Sequence, residues 1–219
     1  MLTTALTLRA NEDNVAKQKN DTASSQQSAR SDDTATCLNK AAKMNTAIIK
    51  VAELATQKAE NAELKRFSQA LEKDHKKAQA EVERIAQKHN VTLQTSLDPK
   101  CEAEISRLQT LSGAEFDKEF AKGAVEGHAV ALEHLQKASK EVKDPDLAQY
   151  TKDMLSRVKS HQRHAREVAK AVGVDEATIT SLENKAKDSV GSPGETTETG
   201  TSSSKDSDRP DRKRSPSEK

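Results

Sequence analysis

Three histidines are the residues whose type and spacing could do chemistry, because each lies in the apolar stripe of a separate predicted helix. His75, His128 and His161 also lie near the middle of those helices. With a rise of about 1.5 Å per residue, mid-helix positions on packed neighbours meet at one depth. We therefore predict that the three imidazoles converge on one layer of the core, whichever way the helices are connected.

Such a layer has the ligands for a metal ion. Imidazole nitrogens suit zinc, copper, iron or nickel, and a carboxylate can complete the ligand set or orient a ring from outside it. Asp74, directly before His75, is the candidate carboxylate, and Glu72 forms a Glu-x-x-His pair with His75. The cofactor predicted from these residues is a transition metal, either Zn, Fe, Mn or Cu.

A polar core layer without metal is the alternative interpretation. In that case the histidines hydrogen-bond to Asp74, Asn45 and water, because buried polar groups need partners. The remaining histidines are weaker candidates, since His89 lies at a frayed helix end and His134 and His164 lie beside the stripes. We expect these three side chains to be solvated.

The composition limits the elements that can position these residues. Hydrophobic residues make up 33% of the 219 residues and aromatic residues only 2%, with 7 Gly and 5 Pro. A core of Ala, Leu, Val and Ile with so little turn punctuation favours an all-α protein. The formal net charge of +1 provides no global field that would attract nucleic acid, so no nucleic-acid partner is predicted.

Apolar residues at spacings of three and four predict four long helices. Asn61 marks the turn after the first, Asp144-Pro145 separates the third from the fourth, and Gly173 ends the fourth. Four helices with one apolar stripe each predict an antiparallel four-helix bundle. A short helix is expected at 101–111, in the connection between the second and third helices, and another at 175–187, where Asp175 is the expected N-cap and packing on the outside of the bundle is expected.

Both ends of the chain are polar and poor in apolar residues, which predicts disorder. The basic cluster at 209–214 carries no aromatic residue and is interpreted as part of a solvated tail. The predicted organisation is a disordered segment, the bundle, a short C-terminal helix and a disordered tail, over residues 1–34, 35–172, 173–189 and 190–219.

The two cysteines, Cys37 and Cys101, allow one disulfide and no CxxC motif. They are either two free thiols or, in an oxidising compartment, a bridge from the first long helix to the connection between helices two and three. Residues 1–8 are too short an apolar stretch for a membrane span and lack the basic region of a secretory signal. No membrane span is predicted.

Several motifs in these helices resemble a bacterial family of mostly exported proteins, domain of unknown function 4142. The resemblance covers about residues 37–172 and implies a ferritin-like fold and a periplasmic or otherwise exported location. The residues that carry it are Leu54-Ala55 with Lys58-Ala59, Phe67 through Leu71 to Asp74-His75, Leu111-x-Gly113-x-x-Phe116-Asp117-x-x-Phe120 leading to His128, and Leu155 through His161 to Ala165.

Two positions depart from the family pattern. Ile48 stands where the family usually carries a Glu on the first helix, and Ser156 stands where it carries a Pro. Asn45, one turn from Ile48, is a partial substitute for the missing carboxylate. The Glu-x-x-His pair of di-iron sites also occurs only once, since Val158 stands three residues before His161, so a dinuclear oxidase is disfavoured.

Three functions follow from these observations. The first is a non-catalytic bundle that binds a metal ion through the three histidines with Asp74 nearby. The second is a mononuclear metal oxidase or peroxide-handling enzyme, since three His ligands with an open position can activate water or oxygen. The third is a structural or interaction protein with a pH-sensitive polar layer. Homo-oligomerisation is compatible with each.

Overall fold

A computed structural model describes residues 33–191, which form six helices and no strand. The all-α prediction is confirmed, whereas the predicted unstructured ends lie outside the described residues except at 33, 34, 190 and 191, which are helical. None of the helices in the described range is both long enough and apolar enough to cross a membrane. The helices are α1 (33–58), α2 (Ala62–Lys88), α3 (Pro99–Thr110), α4 (Gly113–Glu141), α5 (Pro145–Ala171) and α6 (Glu176–Gly191).

Side-chain caps explain where most of these helices begin. The side chain of Asn61 accepts hydrogen bonds from the backbone N–H groups of the first turn of α2, and Asp98, Asp144 and Asp175 do the same for α3, α5 and α6. Gly173 follows α5 with φ of +82°, a left-handed conformation that favours glycine. The predicted boundaries at Asn61, Asp144, Gly173 and Asp175 are thus confirmed.

The apolar interior is divided into two clusters. We call them the Phe116 core and the Tyr150 core, and α1, α2, α4 and α5 contribute to both. The Phe116 core comprises Ala52, Ala55, Ala59, Leu64, Phe67, Leu71, Leu108, Phe116, Phe120, Ala121, Val125, Ala165, Val168, Ala169, Val174 and Ile179. The Tyr150 core comprises Leu38, Ala42, Ala78, Val82, Ile85, Ala86, Ala131, Leu147, Tyr150, Met154 and Val158.

The order in which each helix meets these cores gives the direction of the chain. Both α2 and α4 run from the Phe116 core to the Tyr150 core, whereas α1 and α5 run the opposite way. Because α2 and α4 are parallel, the connection between them must return along the bundle. Val91 and Leu93 at its start pack on the Tyr150 core, and Leu108 and Leu111 near its end pack on the Phe116 core.

A buried carboxylate fixes the turn between α1 and α2. Asp117 on α4 is almost fully buried and accepts hydrogen bonds from the backbone N–H groups of Glu60, at 3.3 Å, and Asn61, at 2.7 Å. These bonds satisfy backbone donors that the turn leaves without a helical partner. The turn is thereby held against the start of α4 at the Phe116 end of the bundle.

The C-terminal helix α6 was expected to pack on the outside of the bundle, but it contributes a side chain to the interior. Ile179 is fully buried in the Phe116 core. Glu183 pairs with Arg166 and accepts a hydrogen bond from Gln162, both on α5, and Lys185 pairs with Glu126 on α4 at 2.7 Å. Leu182 also packs against the Phe116 core, so both apolar and polar contacts anchor the helix.

Replacing Ile179 with alanine is expected to destabilise the whole bundle. Removal of a fully buried Ile side chain leaves a cavity and typically costs about 2–5 kcal/mol of unfolding free energy. Chemical denaturation monitored by circular dichroism measures this loss. Thr180→Ala on the exposed face of the same helix is the matched control, and equal stability of the two variants would show that α6 is dispensable.

Candidate metal centre

The three predicted histidines fill the gap between the two cores. On α2, His75 lies between Leu71 of the Phe116 core and Ala78 of the Tyr150 core. His128 on α4 and His161 on α5 occupy the equivalent boundary on their own helices. The mid-helix positions therefore place the rings at one level, as their spacing along the chain predicts. We call these three residues the histidine layer.

The rings of the histidine layer are close together and almost closed to solvent. The ring centroids are 5.6 Å apart for His75 and His161, 5.5 Å for His128 and His161, and 6.5 Å for His75 and His128. One ligand nitrogen from each ring lies within 4.8 Å of the other two. Only 1% of His75 and 5% of each of the others is exposed.

Each ring donates one N–H group to an acceptor of the protein. Nδ1 of His75 donates to Oδ1 of Asn45 at 3.0 Å, and Nδ1 of His128 donates to the backbone carbonyl of Ala124 at 2.8 Å. Nε2 of His161 donates to Oδ2 of Asp74 at 3.1 Å. Because each acceptor is an oxygen without a hydrogen, these bonds assign the tautomer of every ring.

The orientation of Asn45 is itself fixed by α5. Its amide nitrogen donates to the hydroxyl oxygen of Tyr150 at 3.1 Å, which leaves the amide oxygen to face His75. Asn45 is 1% exposed and lies on α1, so the layer receives a polar side chain from all four of the helices that form both cores.

The other nitrogen of each ring has no hydrogen-bonding partner. These atoms are Nε2 of His75, Nε2 of His128 and Nδ1 of His161, and all three are inaccessible to solvent. In the assigned tautomers each carries a lone pair and no hydrogen. A buried acceptor without a donor costs roughly 1–3 kcal/mol, and three such atoms in one layer require an explanation.

Burial keeps the rings neutral. Desolvation, together with the neighbouring rings of His128 and His161, lowers the pKa of His75 to about 3. Desolvation also lowers the pKa of His128 to about 4, although its hydrogen bond to Ala124 opposes the shift. The pKa of His161 is lowered by desolvation against the opposing effect of Asp74. The lone pairs are therefore free of protons at neutral pH.

Asp74 lies at the edge of the histidine layer. Its carboxylate bonds to His161 on the inner side and lies 3.6 Å from Nη1 of Arg157 on the outer side. The group of ligand atoms within metal-binding distance consists of the three histidines. Asp74 is thus placed to orient His161 from outside that group, which is the second of the two roles predicted for it.

The two predicted disulfide partners are free thiols in this structure. Cys37 lies in the first turns of α1 and Cys101 in α3, and both are half-buried. Burial raises the pKa of each thiol; among the charged neighbours, Lys40 most strongly opposes the shift at Cys37 and Asp98 most strongly adds to it at Cys101. A disulfide in the cell stays a prediction, which mass spectrometry before and after reduction tests.

The remaining histidines lie outside the layer. His134 and His164 are exposed, as predicted. His89, also predicted to be solvated, is only partly exposed, and its Nε2 lies 3.1 Å from Oδ2 of Asp144. Its ring and the carboxylates of Asp144 and Asp146 form a second group of ligand atoms within 4.8 Å of each other.

This second group could not be predicted from the sequence, because Asp144 and Asp146 are more than fifty residues from His89. The only indication in the sequence is that His89 lies at the end of α2 and the two aspartates lie at the start of α5. These two helix ends meet at the Tyr150 core. Asp146 already pairs with Lys88 and lies 3.9 Å from Arg84, and Asp144 caps α5. The group is therefore a contact between helix ends, neutralised by neighbouring cations.

Comparison with known proteins gives one match. A family model described as domain of unknown function (DUF4142) matches residues 19–168, a range that contains all three histidines of the layer. Neither the curated proteins nor the solved structures contain a match to the chain.

Proposed function

The chain belongs to the DUF4142 family of domains of unknown function, and we propose that it is an exported, ferritin-like helical bundle that binds one transition-metal ion. The ligands are His75, His128 and His161, and the role is non-catalytic. The observation that carries this proposal is the set of three buried ring nitrogens without partners in a single layer.

A metal ion satisfies this layer better than water does. One water molecule has two hydrogens to donate, so it leaves at least one of three acceptor nitrogens without a partner. A cation accepts all three lone pairs at once. Tetrahedral zinc–nitrogen bonds of about 2.0–2.1 Å place the ligand nitrogens roughly 3.4 Å apart, which lies within the 4.8 Å limit that the three ligand atoms satisfy.

The hydrogen bonds around the rings are those of metal-binding histidines. Such a histidine almost always donates its other N–H group to a carboxylate or a backbone carbonyl, which fixes the tautomer and makes the ligand more basic. His161 has a carboxylate partner, His128 a carbonyl, and His75 the amide oxygen of Asn45.

Burial favours a binding role over an enzymatic one. A catalytic metal keeps a coordination position open to water or substrate, but the three unpartnered nitrogens are closed to solvent. The mononuclear oxidase is therefore the less favoured alternative. A dinuclear centre also lacks ligands, because Glu72 and Glu53, the nearest glutamates on α2 and α1, both pair with Lys76.

The chain direction supports a ferritin-like fold. Bundles of that class have one long crossover connection, and here residues 89–112 connect the parallel helices α2 and α4 along the length of the bundle. Export is proposed from the family resemblance. Fractionation of cells that express the tagged chain tests it, and recovery of the chain with cytoplasmic markers would contradict it.

Metal binding is tested by calorimetric titration of metal-free protein with Zn, Cu, Fe and Mn salts. We expect saturation at one ion per chain for at least one metal. The chain contains one Tyr and no Trp, so the fluorescence of Tyr150, which reaches the layer through Asn45, gives an independent signal. No saturable binding of any of the four metals would refute the proposal.

Replacing Asp74 with asparagine is expected to weaken metal binding about 10–100-fold, the usual effect of losing the partner of a ligand histidine. An amide at this position can offer its nitrogen to the ring and no longer holds His161 in one tautomer by charge. Competition with a chromophoric chelator measures the change. Asp153→Asn, an exposed aspartate on α5, is the control, and equal affinities for the two variants would contradict the assigned role of Asp74.

A further inference from the structure

The formal charges next to the histidine layer cancel. The ligand set itself is neutral, because an imidazole that offers a lone pair to a metal ion carries no charge. Asp74 contributes one negative charge at the edge of the layer, and Arg157 lies 3.6 Å from its Oδ1. The pair is partly exposed, with 31% of the Asp74 side chain and 44% of the Arg157 side chain accessible to solvent.

This balance determines which ionic charge the layer can bury. An ion leaves its water shell when it enters a site that is nearly closed to solvent, and the cost rises steeply with the charge. A divalent ion here gains no net compensation, since the charge of Arg157 offsets that of Asp74. A monovalent cation loses much less hydration free energy when it binds the same three nitrogens.

The number and type of the ligand atoms also favour monovalent copper over the divalent ions. Structural zinc is almost always four-coordinate, and manganese prefers sites with carboxylate, carbonyl or water oxygens. The layer offers three nitrogens that solvent does not reach. Imidazole is among the ligands that suit copper, and a cuprous ion carries only one charge that the site must compensate.

We propose that the histidine layer is a site for monovalent copper, and that Arg157 determines this preference by cancelling the charge of Asp74. The proposal rests on the proposed function, that is, on metal binding by His75, His128 and His161. Arg157 acts as a specificity-determining residue, because it contacts Asp74 and not the metal. Divalent zinc and manganese are the ions that it disfavours.

The preference is tested on the full-length, metal-free chain by competition against chromophoric chelators for Cu(I) and for Zn(II), with oxygen excluded for the cuprous experiments. We expect one Cu(I) per chain, bound at least about tenfold more tightly than Zn(II), which is the ratio that the charge of Arg157 is expected to contribute. Zinc binding with equal or higher affinity would overturn this inference and leave the proposed function intact. The absence of binding by either ion would also overturn this inference, and the titrations with iron and manganese salts would then decide the proposed function.

Replacing Arg157 with glutamine tests the role of the charge. The loss of one positive charge is expected to favour a divalent ion about twice as much as a monovalent one, so the Cu(I) to Zn(II) affinity ratio should fall about tenfold. Arg157→Lys keeps the charge and should restore the ratio.

Arg163→Gln, an exposed arginine on the same helix, is the control for a general change in charge. An unchanged ratio in Arg157→Gln, or an equal change in Arg163→Gln, would overturn the assignment of Arg157. Since Arg157 is a partly exposed surface residue, the variant should fold, and its circular dichroism spectrum verifies this.

Discussion

Replacing His128 with alanine is expected to abolish saturable metal binding. His128 provides one of three nitrogens in a layer where no fourth His, Cys, Asp or Glu of residues 33–191 joins the group of ligand atoms. The two remaining rings cannot close the coordination of an ion that solvent does not reach. The affinity for metal should therefore fall by more than roughly 10–100-fold, which is the usual effect of losing a residue that only orients a ligand histidine.

The same variant separates binding from folding. For the unsubstituted chain, metal at about 100 times its dissociation constant should add about 2.7 kcal/mol to the free energy of unfolding. This increment should vanish in His128→Ala, while the metal-free variant still unfolds cooperatively. Should the cavity left by alanine prevent folding, His128→Leu fills most of the same volume without a ligand atom.

His134→Ala is the matched control, because His134 lies on the same helix but is exposed. It should keep both the affinity and the stabilisation by metal. If His128→Ala or His128→Leu binds metal as tightly as the unsubstituted chain, the ion is held elsewhere and the proposed site is wrong. The group of His89, Asp144 and Asp146 would then be the next position to substitute.

The depth of the histidine layer could be predicted from the sequence because it depends on a local quantity. The rise per residue of a helix is fixed, so His75, His128 and His161 meet once each is known to be near the middle of its helix. The stripe spacing also predicts that each ring faces inward. Neither inference requires knowledge of which helices are neighbours.

The partners of the rings could not be predicted in the same way. Asn45 accepts from His75, thirty positions away, and donates to Tyr150, 105 positions away. The period of one helix contains no information about such pairs, because they depend on helix rotation and direction. The role of Asp117 could not be predicted for the same reason. A buried aspartate needs hydrogen-bond donors, and those of Asp117 are the backbone N–H groups of Glu60 and Asn61, which are distant in the sequence.

The direction of the crossover also required the structure. Residues 89–112 contain the short helix that the sequence predicts, yet a connection of this length fits both possible topologies. The deciding contacts are those of Val91 with the Tyr150 core and Leu108 with the Phe116 core. Val91 has Leu93 beside it and Leu108 has Leu111, but such short apolar pairs in a mostly polar segment give too weak a pattern to assign either pair to one end of the bundle.

Acidification from pH 8 to pH 5 is expected to destabilise the metal-free bundle steeply. The folded pKa values of about 3 for His75 and about 4 for His128 lie below the value near 6.5 of an unfolded histidine. The unfolded chain therefore binds more protons as the pH falls below 6.5, and the stability is lost progressively until the folded pKa values are reached. His161 shifts in the same direction.

The loss is large relative to the stability of a domain. At pH 5 each of His75 and His128 should lower the free energy of unfolding by about 2 kcal/mol, and the two together by about 4 kcal/mol. The whole free energy of unfolding of a domain is roughly 5–15 kcal/mol. Denaturation curves at pH 8, 7, 6 and 5 measure this loss. A flat profile would show that the rings are not buried and neutral, which would remove the basis for the metal site as well.

A single substitution and added metal test whether this pH dependence arises from the histidine layer. His128→Leu removes one of the groups, so the slope near pH 5 should fall by about 1.4 kcal/mol per pH unit. Saturating metal competes with protons for the same lone pairs, so it should move the acid transition to lower pH. A polar layer without metal binding predicts the slope but no such displacement. The shift on metal addition therefore distinguishes a metal centre from a pH-sensitive core.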